Sequence, residues 1–181
     1  MRYERYPTVY EKNDLSVFEF ESLGPTGDSI RKRITFAKTE VNGVYNLAFG
    51  NLRENRSLDD EAISGDRDMV LATVVQAVDR YTTRYPRRWI YFCGSTPART
   101  RLYRMVIGLN LAELSESFEI LVSLSHPLFM KSKTKKKQSI WKPKVKFDVA
   151  KNLNALKAED LAPEKLALAN THLKKMRSLP K

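Results

Sequence analysis

Residues Trp89 to Leu109, WIYFCGSTPARTRLYRMVIGL, leave this chain few folds to choose from. Arg88 to Cys93 reads as a buried strand, its last five residues, Trp89 to Cys93, all apolar. Gly94-Ser95-Thr96 is a sharp turn, and Pro97 has the φ that suits a first helical position. The hydroxyl of Ser95 or Thr96 accepts an N–H that the first helical turn leaves unpaired. Leu102, Met105, Val106 and Leu109 then share one helical face, and Gly108 and Asn110 mark the end. A buried strand needs a sheet beside it and a layer packed against it. A helix directly after it supplies part of one layer.

The segments on either side fit that demand. Residues 1–14 are polar with three spaced tyrosines, and are expected to be a loosely attached lead-in. Leu15 to Ser22 alternates Phe18 and Phe20 with Glu19 and Glu21, the pattern of a half-buried strand. A Gly24-Pro25-Thr26-Gly27 turn leads to Ser29–Lys38, with Ile30, Ile34 and Phe36 on one face and Arg31, Arg33 and Thr35 on a wet, basic one. Glu19 and Glu21 are expected across from those arginines. Asn42-Gly43 turns the chain into Val44–Asn51, apolar on both faces and therefore central. A short strand around Asp60 to Ser64 is allowed.

Val70, Leu71, Val74, Val78 and Tyr81 form the stripe of a helix from about Asp66 to Tyr85, stopped by Pro86. Past the helix that Pro97 opens, a turn of helix at Ala112 to Ser115 and a strand at Phe118 to Leu124 follow. A last strand is expected at Val145 to Val149, and a helix after Pro163 with Leu166, Ala169, Leu173 and Met176 on one side. The expected class is α+β: a mainly antiparallel sheet of about six to seven strands packed by two helices, β-β-β-(β)-α-β-α-β-β, with a basic C-terminal extension. Residues 15–149 form the domain and 150–181 an extension, partly helical or disordered.

Charge divides the chain unevenly. Residues 1–124 hold 17 Lys/Arg and 17 Asp/Glu, whereas 125–181 hold 15 and 4, so the whole net charge of +11 lies in the last third. Lys131 to Phe147 carries eight lysines and no acid: Lys131, Lys133, Lys135, Lys136, Lys137, Lys142, Lys144 and Lys146. Trp141 lies among them, so phosphate neutralisation with base stacking suits a nucleic acid or another polyanion as partner. A solvated, solubilising loop is the plainer alternative.

Gly94 to Arg104 is the second candidate site. Ser95 and Thr96 sit where a helix N-terminus attracts anions, and Arg99, Arg101 and Arg104 add charge. Tyr103 is a possible acid or hydrogen-bond donor. Arg99 lies about 160° round the helix from Arg101, so the three arginines converge only with help from neighbouring elements. The Gly-Lys-Ser/Thr ending of a P-loop is absent. A structural helix cap with solvated arginines is the competing reading.

Three blocks, VYNLAFGNL (Val44 to Leu52), GDRDMVLATV (Gly65 to Val74) and GSTPARTRLYRM (Gly94 to Met105), resemble in order and spacing a bacterial family known as domain of unknown function 6934. The resemblance covers roughly Leu15 to Phe147. It implies a compact α+β domain and no particular activity.

Other chemistry is sparsely provided. Asp59, Asp60, Glu61, Asp66 and Asp68 lack the spacing of an EF-hand loop and read as helix N-terminal acids together with a polar strand edge. One cysteine, Cys93, and two distant histidines, His126 and His172, make neither a zinc set nor a catalytic arrangement, so no metal, cofactor or catalytic residue is assigned. A lone cysteine and a charged N-terminus point to the cytoplasm, and no apolar run reaches the roughly 20 residues of a membrane span. Two functions remain. One is a non-catalytic protein whose basic segment binds a polyanion. The other is an enzyme or binding domain for a phosphorylated small molecule at the Gly94 turn. A module for a protein partner is a third, and the oligomeric state is open.

Overall fold

Alternation and tight turns build the first half of the sheet. In the computed structural model, which describes residues 4–24, 26–52, 58–59, 66–122, 128–133, 159 and 162–175, strands β1 (Thr8–Glu11), β2 (Val17–Leu23), β3 (Ser29–Lys38) and β4 (Val44–Leu52) form an antiparallel meander. The β3–β4 turn uses Gly43 at φ +79°, a conformation that costs glycine nothing and other residues strain. A two-residue strand, β5 (Leu58–Asp59), pairs with the far end of β4. The strand expected at 60–64 falls outside the described residues.

Helix α1 (Arg67–Arg84) crosses the sheet and returns the chain to β6 (Trp89–Phe92), which lies parallel to β4. α2 (Pro97–Leu109), α3 (Leu111–Ser117), β7 (Phe118–Val122), β8 (Leu128–Ser132) and α4 (Pro163–Lys174) follow. The sheet order is β1-β2-β3-β4-β6-β8-β7, antiparallel except at β4–β6. The fold is therefore α+β, with β4 and β6 central as their apolar character requires.

Even-numbered residues of β2, β3 and β6 and odd-numbered ones of β4 face α1 and α2. Phe18, Phe20, Ile34, Phe36, Leu47 and Ile90 pack there on Val70, Val74 and Tyr81. The opposite face is closed in part by α4, where Ala169 and Leu173 cover Val44, Trp89, Tyr91 and Phe129.

Four expectations change. The lead-in is not loose: β1 pairs with β2, the Tyr6 amide donates to Thr73 Oγ1 at 2.9 Å, and its ring stacks on Phe20. The arginine face of β3 is not uniformly wet: Arg31 lies half out in solvent, whereas Arg33 and its cross-strand partner Glu19 are each only 2 % exposed. β8 at Leu128–Ser132 lies where no strand was expected, while the strand expected at 145–149 falls outside the described residues. Finally, the helix expected after Pro163 is present but, instead of standing off as an extension, docks on the sheet. The apolar side chains of Ala169 and Leu173, with several polar bonds, hold in place a helix too short to persist alone.

Candidate functional site

The β4–β6 ladder ends at Asn46↔Tyr91, although β4 runs on to Leu52 and the other chain turns away into α2. The two parallel strands thus part at their carboxyl ends. In open α/β sheets, ligands favour the crevice where parallel strands part in this way. Here the fork holds a cavity of about 40 Å³, lined by Asn46 and Phe49 of β4, by Cys93, Gly94 and Ser95 of the turn, and by Tyr103 of α2. Lys165, Leu168 and Ala169 of α4 close it from the far face.

The turn is shaped by one close approach. A Cβ on Gly94 would stand 2.4 Å from the Thr100 amide nitrogen, so only glycine lets α2 sit this near the strand. The Gly94 N–H donates to Thr100 Oγ1 at 3.1 Å, and the buried Thr100 hydroxyl also lies 3.1 Å from Thr96 O. Thr96 caps the helix: its side chain accepts from the Arg99 amide at 3.2 Å. Tyr103 is buried, stacked on Phe92 with ring centres 4.7 Å apart.

Two nitrogen donors, from Asn46 and Lys165, stand in the polar lining. Asn46 is 4 % exposed, and its Nδ2 has no hydrogen-bond partner among the described residues. A buried amide left without an acceptor costs about 1–3 kcal/mol. Lys165 Nζ donates to Phe49 O at 2.8 Å, on the stretch of β4 beyond its ladder with β6. Tyr91 Oη and His172 Nδ1, 2.8 Å apart, pin α4 above it. Burial first, and Cys93 second, raises the Tyr91 pKa far above the usual phenol value, so Tyr91 stays neutral. Cys93 Sγ is 3.7 Å from the Thr100 hydroxyl and 3.5 Å from Gly94 O.

Of the residues expected at the turn, Ser95 and Tyr103 line the cavity, and Thr96 caps the helix. None of the three arginines is in the lining. Arg99 Nη1 donates to Ser95 Oγ at 2.9 Å, Arg101 is exposed on α2, and Arg104 is half-buried. The crevice takes its cation from Lys165 instead. Nothing in the sequence around Lys165 distinguishes it from other lysines. Asn46 did carry a signal, as an amide inside the otherwise apolar VYNLAF.

The lysine-rich run enters the described structure only at its start. Lys131 lies in β8 with Nζ 5.0 Å from the Trp89 ring centre, and Lys133 donates its amide to Ser117 O and its ammonium to Ser115 O. Lys135, Lys136, Lys137, Trp141, Lys142, Lys144 and Lys146 fall outside the described residues. Among the described residues no three His, Cys, Asp or Glu side chains gather to hold a metal, and no helix is long and apolar enough to cross a membrane.

A family model described as "Family of unknown function (DUF6934)" matches residues 2–141. The match takes in β1 to β8 and ends before α4. No curated protein and no solved structure matches the chain.

Proposed function

The chain belongs to DUF6934, a family of unknown function, and we propose that it is a cytoplasmic binding protein for a small carboxylate- or phosphate-bearing molecule held at the β4–β6 fork. The observation that carries this reading is the Asn46 Nδ2 donor, buried and unpartnered in the lining of the cavity. Lys165 and the positive end of α2 bring like-signed potential to the same place, where an anionic oxygen satisfies all three. The reading is one of binding, since among the described residues the Cys93 sulfur meets a hydroxyl and a carbonyl and no base.

Thermal-shift screening of phosphorylated metabolites and small carboxylates tests it. A ligand that binds only the folded chain raises Tm with concentration. The shift is expected to vanish in Lys165→Met and Asn46→Leu and to survive in Arg101→Ala, whose side chain lies outside the crevice. No shift across the panel, or a shift indifferent to Lys165 and Asn46, rejects the reading.

A second reading rests on a separate observation, the confinement of the +11 net charge to residues 125–181. There the lysine run binds a nucleic acid or another polyanion without sequence preference. Replacing Lys135, Lys136 and Lys137 by Ser is then expected to weaken binding and to flatten its salt dependence on duplex DNA, by roughly 0.9 log unit for each phosphate left unneutralised. Absence of binding at low salt removes this reading and leaves the crevice untouched.

A further inference from the structure

Opposite the crevice, at the end of the sheet where β3 finishes and β4 begins, lies a larger cavity of about 270 Å³. Its wall is aromatic, formed by Phe36, Tyr45, Tyr81 and Tyr85, and Arg88 stands in it. The Arg88 guanidinium lies 3.7 Å from the ring centre of Tyr85 and 4.3 Å from that of Tyr45. It donates through Nη1 to Tyr81 Oη at 2.7 Å. Two ring faces and one hydrogen bond therefore fix its position.

Arg88 has no ionic partner among the described residues, and its only side-chain hydrogen bond there uses one of five N–H donors. Arginine in such a fixed setting loses little freedom on binding an oxyanion through two parallel N–H bonds. Tyr81 does not neutralise it by ionising: burial raises the phenol pKa well above its usual value, against the opposing influence of Arg88. The other charged groups lining the cavity are Lys12, Lys38, Asp14 and Glu159, so cations outnumber acids there by one with Arg88 included. Asp14 is already engaged, accepting from the Ser16 amide and hydroxyl at 2.9 and 2.6 Å and lying 3.4 Å from Lys12 Nζ. Lys38, exposed at the end of β3, is the second cation.

We propose that this cavity is a second binding site, for a small organic oxyanion whose carboxylate or phosphate pairs with Arg88 and Lys38 and whose apolar body lies along the tyrosine wall. The cavity exceeds the size of a bare phosphate, and its aromatic lining suits a ring. The site is independent of the crevice: it shares no lining residue with it and takes nothing from α4.

Titration of the full chain with phenyl phosphate, benzoate and uncharged benzyl alcohol tests this, followed through the side-chain Nε–Hε resonance of Arg88. A saturable shift with at least one anion and none with the alcohol is expected. Arg88→Met, followed by calorimetry, should weaken that anion about tenfold to a hundredfold, the value of a lost charge-assisted bond. Lys165→Met should leave it unchanged, which separates this site from the crevice. Should Arg88→Met fail to fold, Lys38→Met with the Arg88 resonance intact replaces it, and a weaker shift is expected. No shift with either anion, an equal shift with the alcohol, or undiminished affinity in the folded variant overturns the proposal. The relative affinity of the two anions assigns the head group.

Discussion

Glu19 and Arg33, facing each other across β2 and β3, form an ion pair with both side chains only 2 % exposed. Arg33 grips one carboxylate oxygen through Nε at 2.8 Å and Nη2 at 2.6 Å, while Nη1 has no partner among the described residues. Removing one member strands a buried charge, so Glu19→Leu is expected to cost about 3–5 kcal/mol in urea unfolding. Because the pair is incompletely satisfied, the double variant Glu19→Leu, Arg33→Met should recover most of that loss. A double variant no better than the single one would show that the pair contributes net stability.

Gly94 is the second test. The Cβ of Gly94→Ala would meet the backbone of Arg99 and Thr100 at 2.4 to 2.8 Å, which forces α2 outward. Overpacking of this kind costs about 1–3 kcal/mol. Chemical denaturation should register it, with the near-ultraviolet signal of the Tyr103–Phe92 stack changing in step.

Asp14 sets a pH dependence. Partial burial, the largest influence, pushes its pKa up, but the two Ser16 hydrogen bonds and Lys12 together outweigh it and hold the carboxyl below its usual value of 3.8. A group depressed in the folded state favours folding above its unfolded pKa, and that contribution fades as pH falls below about 3.8 through the folded value. Asp14→Asn should therefore be less stable than the parent at neutral pH, and the gap should narrow in acid. A gap that stays constant from pH 7 to pH 2 would show that Asp14 is not the titrating group.

One hydrogen bond that ties α4 to the sheet joins Tyr91 and His172. Tyr91→Phe removes the hydrogen bond with His172 and is expected to cost about 1 kcal/mol, felt mainly as faster hydrogen exchange in residues 163–174. Exchange accelerated equally throughout the sheet would instead mark a global loss.

The sheet was legible wherever local rules govern. Ser29–Lys38 alternates and is bounded by turns, and Pro97 and Thr96 announce α2 by their own chemistry. Glu19 opposite Arg33 followed from the turn between their strands, but the burial of that pair did not, because burial depends on what covers the sheet. β8 hid at Leu128–Ser132 because its five residues follow a proline and run into lysines, which mask the apolar run. At the candidate site the turn was visible and the cation was not: Lys165 reaches the crevice from 71 positions beyond Gly94, through a docking that no periodicity encodes. Arg88 likewise read as the ordinary first residue of a strand until three tyrosines from β4, α1 and the C-terminal end of α1 came round it.

The lone parallel pairing has a consequence for the order of assembly. Every hairpin from β1 to β4 closes over a short turn, but Val44 meets Trp89 only after 45 intervening steps of chain and the whole of α1 are in place. Loop closure of that length is slow compared with hairpin formation. As the chain leaves the ribosome, the meander is complete while the open edge of β4 still waits for β6. That edge includes Val44 and Tyr45, so the strand beside the fork begins as an exposed apolar edge of the nascent protein, and a chaperone that binds such edges would find it there.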